Sequence, residues 1–259
     1  MSDASLHGKR AIITAGASGI GRVVASRLIA DGARVAICDI DAKALDRVSA
    51  ELPGSLAVRC DVSDPAAVAA VAAKMMDHLG GIDILVNNAG SAGPTAAVQD
   101  IEPADWDACI GVNMTSQFLF TRAVVPAMIA QRSGCIVNMS SSAGRFPMAL
   151  RLPYVAAKWA VIGMTQSLAM ELGPHNIRVN AILPGSVRGD RINRVMAARA
   201  ASTGKTIAEI EREEVASMSM GRLIEPEEIA TMIAFVASDA GRSISGQSLG
   251  VDGNTEVLR

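Results

Sequence analysis

Short apolar runs alternate with longer segments in which apolar residues recur at helical spacing, along the whole chain. The apolar runs predict strands at residues 10–15, 33–39, 55–61, 82–90, 134–141, 176–185 and 245–253. The segments between them predict helices at residues 19–31, 41–51, 65–79, 103–131, 153–172 and 226–238, with a polar, helix-prone stretch at 189–217. Such alternation is typical of a parallel sheet with helices on both faces. The pattern therefore predicts an α/β, doubly wound fold with a parallel sheet of about seven strands.

No repeat, low-complexity segment or linker interrupts the alternation, so we predict a single domain over residues 1–259. Half of the residues are hydrophobic and 19% are charged, a composition that can bury a large core and excludes disorder along the whole chain. The composition shifts at residues 188–220, which are rich in Arg, Glu and Met. We interpret this segment as an insertion that covers a substrate.

The charge balance and the spacing of cysteines and histidines exclude several classes of protein. Lys and Arg number 24 and Asp and Glu 26, so a net charge of −2 offers no basic surface for nucleic acid. No apolar run reaches the roughly 18–20 residues that span a bilayer, and the N-terminal segment lacks the apolar core of a secretory signal. The four cysteines and three histidines are too scattered to suggest a metal site. We expect a cytoplasmic protein with reduced cysteines and no metal, membrane or nucleic-acid partner.

A glycine-rich segment, residues 14–21, joins the first predicted strand to the first predicted helix. Glycines let the backbone approach a pyrophosphate, and the helix N-terminus supplies free N–H groups and the positive end of its dipole. An ordinary turn between strand and helix is the alternative, and the position in the first βαβ unit favours the nucleotide. The candidate phosphate-binding residues are Gly16, Ser18, Gly19, Ile20 and Gly21.

Acidic residues end the second and third predicted strands. Asp39 lies 18 residues after Gly21, where a carboxylate accepts hydrogen bonds from an adenosine ribose and repels a 2′-phosphate. Residues 38–41 contain no Arg or Lys to receive that phosphate, which favours NAD over NADP. The alternative for Asp39 is a residue of the turn after the strand. Asp61 is a candidate contact of the adenine amino group, with a helix-capping role as the alternative.

The only tyrosine of the chain, Tyr154, precedes Lys158 by four residues on a predicted helix, which puts both side chains on one face. A nearby ammonium favours the phenolate and lowers the pKa of the tyrosine from about 10 toward neutrality. A tyrosine with such a pKa is a general base for an alcohol proton at physiological pH. For an isolated pair of this spacing, a buried ring beside a lysine that reaches solvent is the alternative.

Polar residues near the predicted strand ends add further candidates. Ser141 ends the fifth strand, where its hydroxyl can hydrogen-bond a substrate oxygen, and Ser140 and Ser142 are alternatives on composition alone. Asn113 is a polar amide in an apolar stretch of the long predicted helix, with a helix-bending role as the alternative. Asn88 belongs to the segment NNAG, which follows the fourth strand and either holds the loop, binds a cofactor or only forms a turn.

Taken in order, these residues resemble the short-chain dehydrogenase/reductase family over residues 8–253. The resemblance rests on TAGASGIG (14–21), Asp39, CDV (60–62), NNAG (87–90), Asn113, Ser141 with Tyr154 and Lys158, PG (184–185) and VDG (251–253). It implies a Rossmann fold, a nicotinamide cofactor and a homotetramer, and small and apolar residues on the helices at 103–131 and 154–172 also indicate an oligomer. The cofactor contacts that it implies are Asp61, Val62, Asn88, Ala89, Gly90, Tyr154, Lys158, Pro184, Gly185 and Val187.

The resemblance further implies a catalytic tetrad of Ser141, Tyr154, Lys158 and Asn113. Tyr154 is then the general base in oxidation and the acid in reduction, and Ser141, selected by its position in the family motif, orients the substrate oxygen. Lys158 lowers the pKa of Tyr154 and hydrogen-bonds the nicotinamide ribose, and Asn113 holds a water in a proton relay. We therefore expect an oxidoreductase that transfers a hydride between NAD and a secondary alcohol or ketone. The alternatives are an NADP-dependent carbonyl reductase and a catalytically silent nucleotide-binding regulator of the same fold.

The chain departs from the family pattern at three positions. Ala15 stands in place of the usual first glycine, so we expect a negative φ there because of its methyl group. Gly189 stands where a threonine often contacts the nicotinamide carboxamide, a contact left to the backbone of Val187 or the hydroxyl of Ser186. Asn254 replaces a common second glycine and affects the C-terminal turn alone.

The substrate pocket is expected from residues 91–97, 142–153 and 186–220. Arginines in the second and third segments suggest contact with an anionic group such as a carboxylate or sulfonate, because arginine binds planar anions through two hydrogen bonds. The alternative is a solvated helix face on which arginines pair with the glutamates at 209–214. The arginines are Arg145, Arg151 and Arg188, which we select as substrate-binding residues, and Arg191, Arg194 and Arg199.

Overall fold

A computed structural model describes residues 5–255. The strands are β1 (Arg10–Thr14), β2 (Arg34–Asp39), β3 (Leu56–Arg59), β4 (Ile84–Asn87), β5 (Gly134–Met139), β6 (Ile177–Pro184) and β7 (Ser248–Val251). They form one parallel sheet in the order β3-β2-β1-β4-β5-β6-β7, which confirms the predicted α/β, doubly wound fold. Residues 1–4 and 256–259, which belong to the predicted domain, lie outside the described residues.

Helices cover both faces of this sheet. Within residues 5–255 the α-helices are α1 (Gly19–Ala30), α2 (Ala42–Glu51), α3 (Pro65–Leu79), α4 (Pro103–Ile110), α5 (Ser116–Gln131), α6 (Leu152–Leu172), α7 (Asp190–Thr203), α8 (Ile207–Val215) and α9 (Pro226–Ala237). Side chains of α1, α2 and α9 form one buried cluster with the sheet, and those of α3, α5 and α6 form another. Ala11 and Ile13 of β1 belong to the first cluster and Ile12 to the second, as the alternation of a strand requires.

The strand order reverses beside β1. The chain proceeds from β1 outward to β2 and β3, and β4 then returns to pair with the other side of β1. In open α/β sheets, ligands bind outside the carboxyl ends of the strands at such a switch point. We refer to the space outside the carboxyl ends of β1, β4 and β5 as the switch-point crevice. The fold brings the residues that follow these three strands to this crevice.

The strands β3, β4 and β5 are among those that end earlier than the pattern predicts. The predicted ends lie at residues 61, 90 and 141, whereas β3, β4 and β5 end two or three residues before them. The backbone leaves the sheet in tight turns, because the Asn88 amide donates to the Val86 carbonyl (3.0 Å) and the Ser141 hydroxyl accepts from the Ala143 amide (3.1 Å). The polar residues after these strands therefore lie outside the ladder, where their side chains can contact a ligand.

The helix predicted at residues 103–131 is interrupted, so the prediction of one continuous helix is wrong. Between α4 and α5 the chain forms a π-helical turn, Gly111–Thr115, which contains Asn113. The Asn113 Nδ2 donates to the Cys109 carbonyl (2.9 Å), and the Asn113 carbonyl accepts from the Gln117 side chain (3.0 Å). These two bonds occupy the carbonyls of Cys109 and Asn113 at the π-helical turn, which is wider than an α-helical one. Such π-turns are frequent at functional sites.

The polar stretch predicted at residues 189–217 contains two helices, α7 and α8. Gly204, with φ of +69°, ends α7 in the left-handed conformation that glycine adopts without steric cost. The Thr206 hydroxyl accepts from the Glu209 amide, and the Glu209 carboxylate accepts in turn from the Thr206 amide. These local signals explain why the stretch forms two short helices and not one long helix.

The structure also bears on disulfide bonds, metal binding and membrane crossing. All four cysteines are buried and free. Within residues 5–255, no group of three or more His, Cys, Asp or Glu side chains is arranged to hold a metal ion. None of the helices in this range combines the length and the apolar character needed to cross a membrane.

Gly21, in the first turn of α1, lies against Ala15 at the beginning of the glycine-rich segment. A Cβ atom at this position would lie 2.1 Å from the Ala15 carbonyl oxygen and 2.5 Å from the Asn88 Nδ2. We expect Gly21→Ala to lower the free energy of unfolding by about 1–3 kcal/mol, because the backbone must shift to accept the methyl group. Thermal unfolding measures this loss. Gly163→Ala is the matched control, since a Cβ on that helical glycine meets nothing within 4 Å; equal melting temperatures for both variants would contradict the prediction.

Candidate active site

Tyr154 and Lys158 lie one turn apart near the start of α6, beside the switch-point crevice. The Lys158 Nζ is 5.6 Å from the centroid of the Tyr154 ring. Lys158 is buried and Tyr154 is half-buried. The helical spacing thus gives the tyrosine a charged neighbour that water does not screen fully.

The surroundings lower the pKa of the Tyr154 phenol below its ordinary value. Burial by itself acts in the opposite direction, because it disfavours the phenolate. The positive charges of Arg191 and Lys158 outweigh this effect. A hydrogen bond with the Ser141 side chain and the charge of Arg151 lower the pKa further. Tyr154 therefore loses its proton at a lower pH than a tyrosine in water does.

Lys158 supplies one of these charges from inside the protein. Its Nζ donates to the Met139 carbonyl at the end of β5 (2.8 Å). Burial lowers the pKa of Lys158 to about 8, an effect that the charge of Tyr154 opposes and that of Arg191 reinforces. Because this value lies above neutrality, most of the lysine remains charged at pH 7 and favours the phenolate of Tyr154.

The three consecutive serines after β5 make different contacts. The Ser140 hydroxyl donates to the Lys158 carbonyl (2.8 Å), and the Ser142 hydroxyl donates to the Pro184 carbonyl (3.1 Å). Both serines are buried, and their bonds hold neighbouring segments together. Ser141 is half-exposed, and its side chain helps to lower the pKa of Tyr154. This geometry favours Ser141 over its neighbours as the group that contacts a substrate oxygen.

Asn113, in the π-helical turn, brings an unpaired acceptor to the same space. Its Nδ2 donates to the Ser91 Oγ (3.2 Å) as well as to the Cys109 carbonyl. Its Oδ1 is buried and has no hydrogen-bond partner among the described residues. A Cβ atom on Gly90 would lie 3.0 Å from this oxygen and 3.6 Å from the Lys158 Nζ. The absence of a side chain at Gly90 leaves room for a bound molecule that completes the bonding of Asn113.

The N-terminus of α1 follows β1 and has no capping side chain. Asp41 caps α2 and Asp64 caps α3 through backbone amides, but Ser18 makes no such bond at α1. Gly19 has φ of +50°, and a Cβ atom there would meet nothing within 4 Å. The uncapped N–H groups and the positive end of the helix dipole suit a phosphate group.

Ala15 has φ of +49°, so the expectation of a negative φ is wrong. Its carbonyl accepts a hydrogen bond from the Asn88 Nδ2 (3.1 Å), and the next amide, of Gly16, donates to the Cys38 carbonyl (3.0 Å). These bonds to the segment after β4 and to β2 hold the turn in a conformation that costs an L-residue about 1–2 kcal/mol. The expectation of a negative φ considered only the methyl group of Ala15 and not these partners, which are distant in sequence.

Asp39 ends β2 with a buried carboxylate. It accepts hydrogen bonds from the amides of Ala17 (3.2 Å) and Asp41 (3.1 Å). The first bond ties the glycine-rich segment to β2, and the second forms the turn before α2. Asp39 therefore has the turn role that was its alternative, and the same bonds fix its carboxylate beside the uncapped end of α1.

Asp61, after β3, is exposed and forms a turn. Its carboxylate accepts from the amide (2.9 Å) and the hydroxyl (2.6 Å) of Ser63, and these bonds lower its pKa. Asp64 and not Asp61 caps α3, so the helix-capping alternative for Asp61 is wrong. Val62, the next residue, is buried in the core cluster of α3. The turn leaves the second carboxylate oxygen of Asp61 open to a ligand.

The NNAG segment after β4 braces the glycine-rich segment. The Asn88 Nδ2 donates to the carbonyls of Thr14 (3.0 Å) and Ala15, and the Ala89 amide donates to the Thr14 Oγ1 (2.9 Å). These bonds join the ends of β1 and β4 across the switch point. In this structure the Asn88 side chain holds the loop, which was one of the alternatives for this residue.

Comparison with protein families gives a match over almost the whole chain. A family model described as "Enoyl-(Acyl carrier protein) reductase" matches residues 14–254. The chain belongs to the short-chain dehydrogenase/reductase family. The resemblance stated from its motifs is therefore confirmed.

Relatives in the short-chain dehydrogenase/reductase family match the chain end to end. It is 38% identical over 256 residues to the 3-oxoacyl-[acyl-carrier-protein] reductase FabG of Thermotoga maritima, which covers 97% of this chain and 99% of that protein. It is 39% identical over 250 residues to a sorbitol dehydrogenase of Cereibacter sphaeroides, with coverage of 96% and 97%. The structure of an NAD+-bound xylitol dehydrogenase matches with a TM-score of 0.91, 31% identity and coverage of 96% and 99%. The family is thus one of oxidoreductases that includes alcohol dehydrogenases.

Of the three arginines selected as substrate-binding residues of this short-chain dehydrogenase/reductase, one approaches the tyrosine. The Arg151 Cζ is 5.3 Å from the centroid of the Tyr154 ring. Arg145 donates to a backbone carbonyl of β7. Arg188 forms an exposed ion pair with Glu225 (3.0 Å). The contacts of Arg145 and Arg188 are therefore structural ones.

Arg191 was not selected from the sequence, yet the structure brings it to the site. Its Cζ is 5.6 Å from the centroid of the Tyr154 ring, and its Nη2 donates to the Ser91 carbonyl (3.0 Å). The sequence signal, four arginines within residues 188–199, does not distinguish Arg191 from Arg199. Arg199 pairs with Glu214 (2.8 Å), as the alternative of a helix face with paired charges predicts.

The segment after β6 is held by several contacts. The Gly185 amide donates to the Val251 carbonyl (3.1 Å), beside the last residue of β6, Pro184. Val187 forms an isolated β-bridge with the chain before α9. The Ser186 hydroxyl donates to the Glu214 carboxylate, so it is already engaged in this structure. Gly189 has no side chain for the contact with the nicotinamide carboxamide. The backbone of Val187 is therefore the remaining candidate for this contact.

Proposed function

We propose that this protein transfers a hydride between NAD and a secondary alcohol or ketone, with Tyr154 as the group that exchanges the proton. The observation that carries the proposal is the environment of this single tyrosine. Although burial opposes it, the charges of Arg191 and Lys158 lower the pKa of the phenol. A phenol with a lowered pKa at the switch-point crevice is suited to general acid–base chemistry.

Features of the crevice fit a nicotinamide dinucleotide. The uncapped N-terminus of α1 suits the pyrophosphate, with Gly16 and residues 18–21 as its contacts. The buried Asp39 carboxylate suits the adenosine ribose, and Asp61 and Val62 the adenine. The space beside Gly90, between the Asn113 Oδ1 and the Lys158 Nζ, suits the nicotinamide ribose, together with Asn88, Ala89, Pro184, Gly185 and Val187. When bound, the nicotinamide accepts or donates the hydride.

The proton passes through Tyr154. In oxidation the phenolate oxygen accepts the proton of the substrate hydroxyl, and in reduction the phenol gives it back to the carbonyl oxygen. The Ser141 hydroxyl, whose side chain helps to lower the pKa of Tyr154, orients that same oxygen. Two hydrogen bonds to one substrate oxygen fix the reacting carbon relative to the tyrosine.

Lys158 and Asn113 support this transfer. The Lys158 charge stabilises the phenolate, and the N–H groups that it does not give to Met139 are available to the nicotinamide ribose and to a water. The unpaired Asn113 Oδ1 is the acceptor that holds such a water, so that the proton of Tyr154 can reach solvent through Lys158. This arrangement is a four-residue tetrad of Ser141, Tyr154, Lys158 and Asn113.

The names of two relatives support an alcohol as the substrate and NAD as the cofactor. One is a sorbitol dehydrogenase, and the solved structure of a xylitol dehydrogenase holds NAD+. The relative named as a 3-oxoacyl reductase supports the reverse reaction on a ketone. Mixing the protein with NAD and a panel of secondary alcohols, and following the absorbance of the reduced cofactor, tests the proposal. A folded protein that binds NAD but turns over none of the alcohols or the matching ketones would favour the silent regulator.

Asp39 is the basis for NAD over NADP, because its carboxylate would face the 2′-phosphate of NADP. We expect wild-type kcat/KM to be higher with NAD, and Asp39→Asn to reduce the ratio of NAD to NADP by about tenfold or more, since a charge repulsion is removed. Steady-state rates with each cofactor measure the ratio. Asp46→Asn, an exposed acid on α2, is the control that leaves the ratio unchanged. A wild type with equal rates for both cofactors would favour the NADP-dependent reductase.

Assembly and organisation are part of the same proposal. Large apolar side chains are exposed on α4, α5 and α6: Trp106, Phe118, Trp159 and Met170. Such side chains support a homotetramer in which these helices pack between copies. We further propose a single domain over residues 1–259, in which residues 188–220, with α7 and α8, cover the substrate.

A further inference from the structure

Three cations surround the ring of Tyr154. The Cζ atoms of Arg151 and Arg191 and the Nζ of Lys158 lie 5.3, 5.6 and 5.6 Å from the ring centroid. In the part of the chain that the structure describes, no carboxylate lies within 4.0 Å of any of the three charges. Even when Tyr154 is ionised, two of the three positive charges remain uncompensated.

Arg151 is the most unusual of the three cations, because it is buried without a counter-ion. The residue is 7% exposed, and its Nη2 donates to the Ala92 carbonyl. Its Nε is buried and has no hydrogen-bond partner among residues 5–255. Contact with the tyrosine ring compensates part of the charge but does not satisfy this N–H. A buried guanidinium with a free donor is the arrangement that an anion would complete.

Arg191 reaches the same space from a different element. It lies on α7 and donates to the Ser91 carbonyl. The carbonyl of the next residue, Ala92, holds Arg151, which directly precedes α6. Nearby arginines of this region behave differently, since Arg188 and Arg199 each pair with a glutamate. The two arginines at Tyr154 are thus held by backbone carbonyls, which fix their position and leave their charge available.

We infer that the substrate is a small alcohol or ketone that carries a carboxylate or sulfonate near the reacting carbon, and that Arg151 and Arg191 bind this anion. The inference rests on the proposed function, because it concerns the molecule that Tyr154 acts upon. Guanidinium groups bind planar anions through paired, charge-assisted hydrogen bonds. A neutral polyol would leave both arginines, one of them buried, without a counter-ion.

The test compares acids with neutral molecules of the same skeleton. The pairs are 3-hydroxybutyrate with 3-hydroxybutanamide, and 2-hydroxypropane-1-sulfonate with its sulfonamide. We expect wild-type kcat/KM with NAD to be at least about tenfold higher for the anion of one pair. We expect Arg151→Gln and Arg191→Gln each to lower this anion-to-neutral ratio by about tenfold or more, because a partner of the bound charge is lost. Arg151→Lys keeps a charge and should restore part of the ratio.

The ratio separates anion binding from two other roles of these arginines. A loss of loop packing, or a higher pKa of Tyr154 after loss of a nearby charge, lowers the rates of both members of a pair equally at a given pH. Arg194→Gln, an exposed arginine one turn further along α7, is the matched control and should leave the ratio at its wild-type value. A fall of the ratio in this control, or an unchanged ratio in both site variants, would overturn the inference.

Failure of the inference can be told from failure of the proposed function. If the neutral alcohols are oxidised as well as the acids, the protein is a dehydrogenase and the inference is overturned. If no alcohol is oxidised, the proposed function fails, and calorimetric titration with butyrate and propane-1-sulfonate decides the inference without turnover. Binding by wild type that is lost in Arg151→Gln supports the anion site, and no binding by wild type overturns it.

Discussion

Replacing Tyr154 with phenylalanine lowers kcat/KM for alcohol oxidation by about 10²–10⁴-fold in our expectation. The change removes the oxygen that accepts the substrate proton and keeps the ring beside Arg151 and Arg191. Because Tyr154 is the only tyrosine of the chain, no second phenol can replace it. Initial rates of NAD reduction with a series of secondary alcohols measure the effect.

The retained ring makes this variant informative. The affinity for NAD and the melting temperature of Tyr154→Phe should remain close to those of wild type, since only one oxygen atom is removed. A fall in the rate with both of these values unchanged assigns the loss to the proton transfer. A variant that keeps the wild-type rate would remove Tyr154 from the mechanism.

Replacing Lys158 with methionine should move the pH dependence of the reaction. Oxidation needs the phenolate, so its rate rises with pH through the pKa of Tyr154, and reduction needs the phenol, so its rate falls over the same range. Loss of the Lys158 charge raises the pKa of Tyr154, because a cation that favoured the phenolate is gone. We expect the rise of kcat/KM for oxidation to move to higher pH, with a loss at pH 7 of about tenfold or more.

The measurement for Lys158→Met is the full profile of kcat/KM against pH and not a rate at one pH. In wild type the charge of Lys158 lowers the pKa of Tyr154 and the charge of Tyr154 raises that of Lys158, so their titrations are linked. The variant should therefore show a simpler profile as well as a displaced one. Lys74→Met, an exposed lysine on α3, is the control and keeps the wild-type profile. A profile of Lys158→Met that coincides with wild type would show that the lysine does not tune Tyr154.

Much of the fold could be predicted because the signals that specify it are local. Alternating periodicities located the strands and helices, and the turn after β1 was visible in its glycines. The pair of Tyr154 and Lys158 was also a local signal, since a spacing of four residues on a helix puts two side chains together whatever surrounds them. The choice among three serines depends on tertiary contacts, because the bonds of Ser140 and Ser142 to Lys158 and Pro184 distinguish them from Ser141.

The errors have a common physical origin in contacts between distant parts of the chain. Ala15 adopts a left-handed backbone because Asn88 and β2 hold it there. The helix at residues 103–131 contains a π-turn at Asn113, whose side chain bonds Ser91 in the segment after β4. Neither partner set follows from the residue's own preferences, so a local argument predicted the ordinary conformation in each case.

The sequence by itself determined the doubly wound sheet, the glycine-rich turn and the helical pairing of the tyrosine with its lysine, because periodicity and short spacings act within one element. Only the tertiary structure decided that Arg151, directly before α6, and Arg191, on α7, converge on Tyr154 while Arg145 and Arg188 contact other parts of the chain. The reason is that residues forty positions apart meet through the packing of whole elements around a sheet. The sequence pattern of one helix does not specify which neighbours its exposed side chains contact.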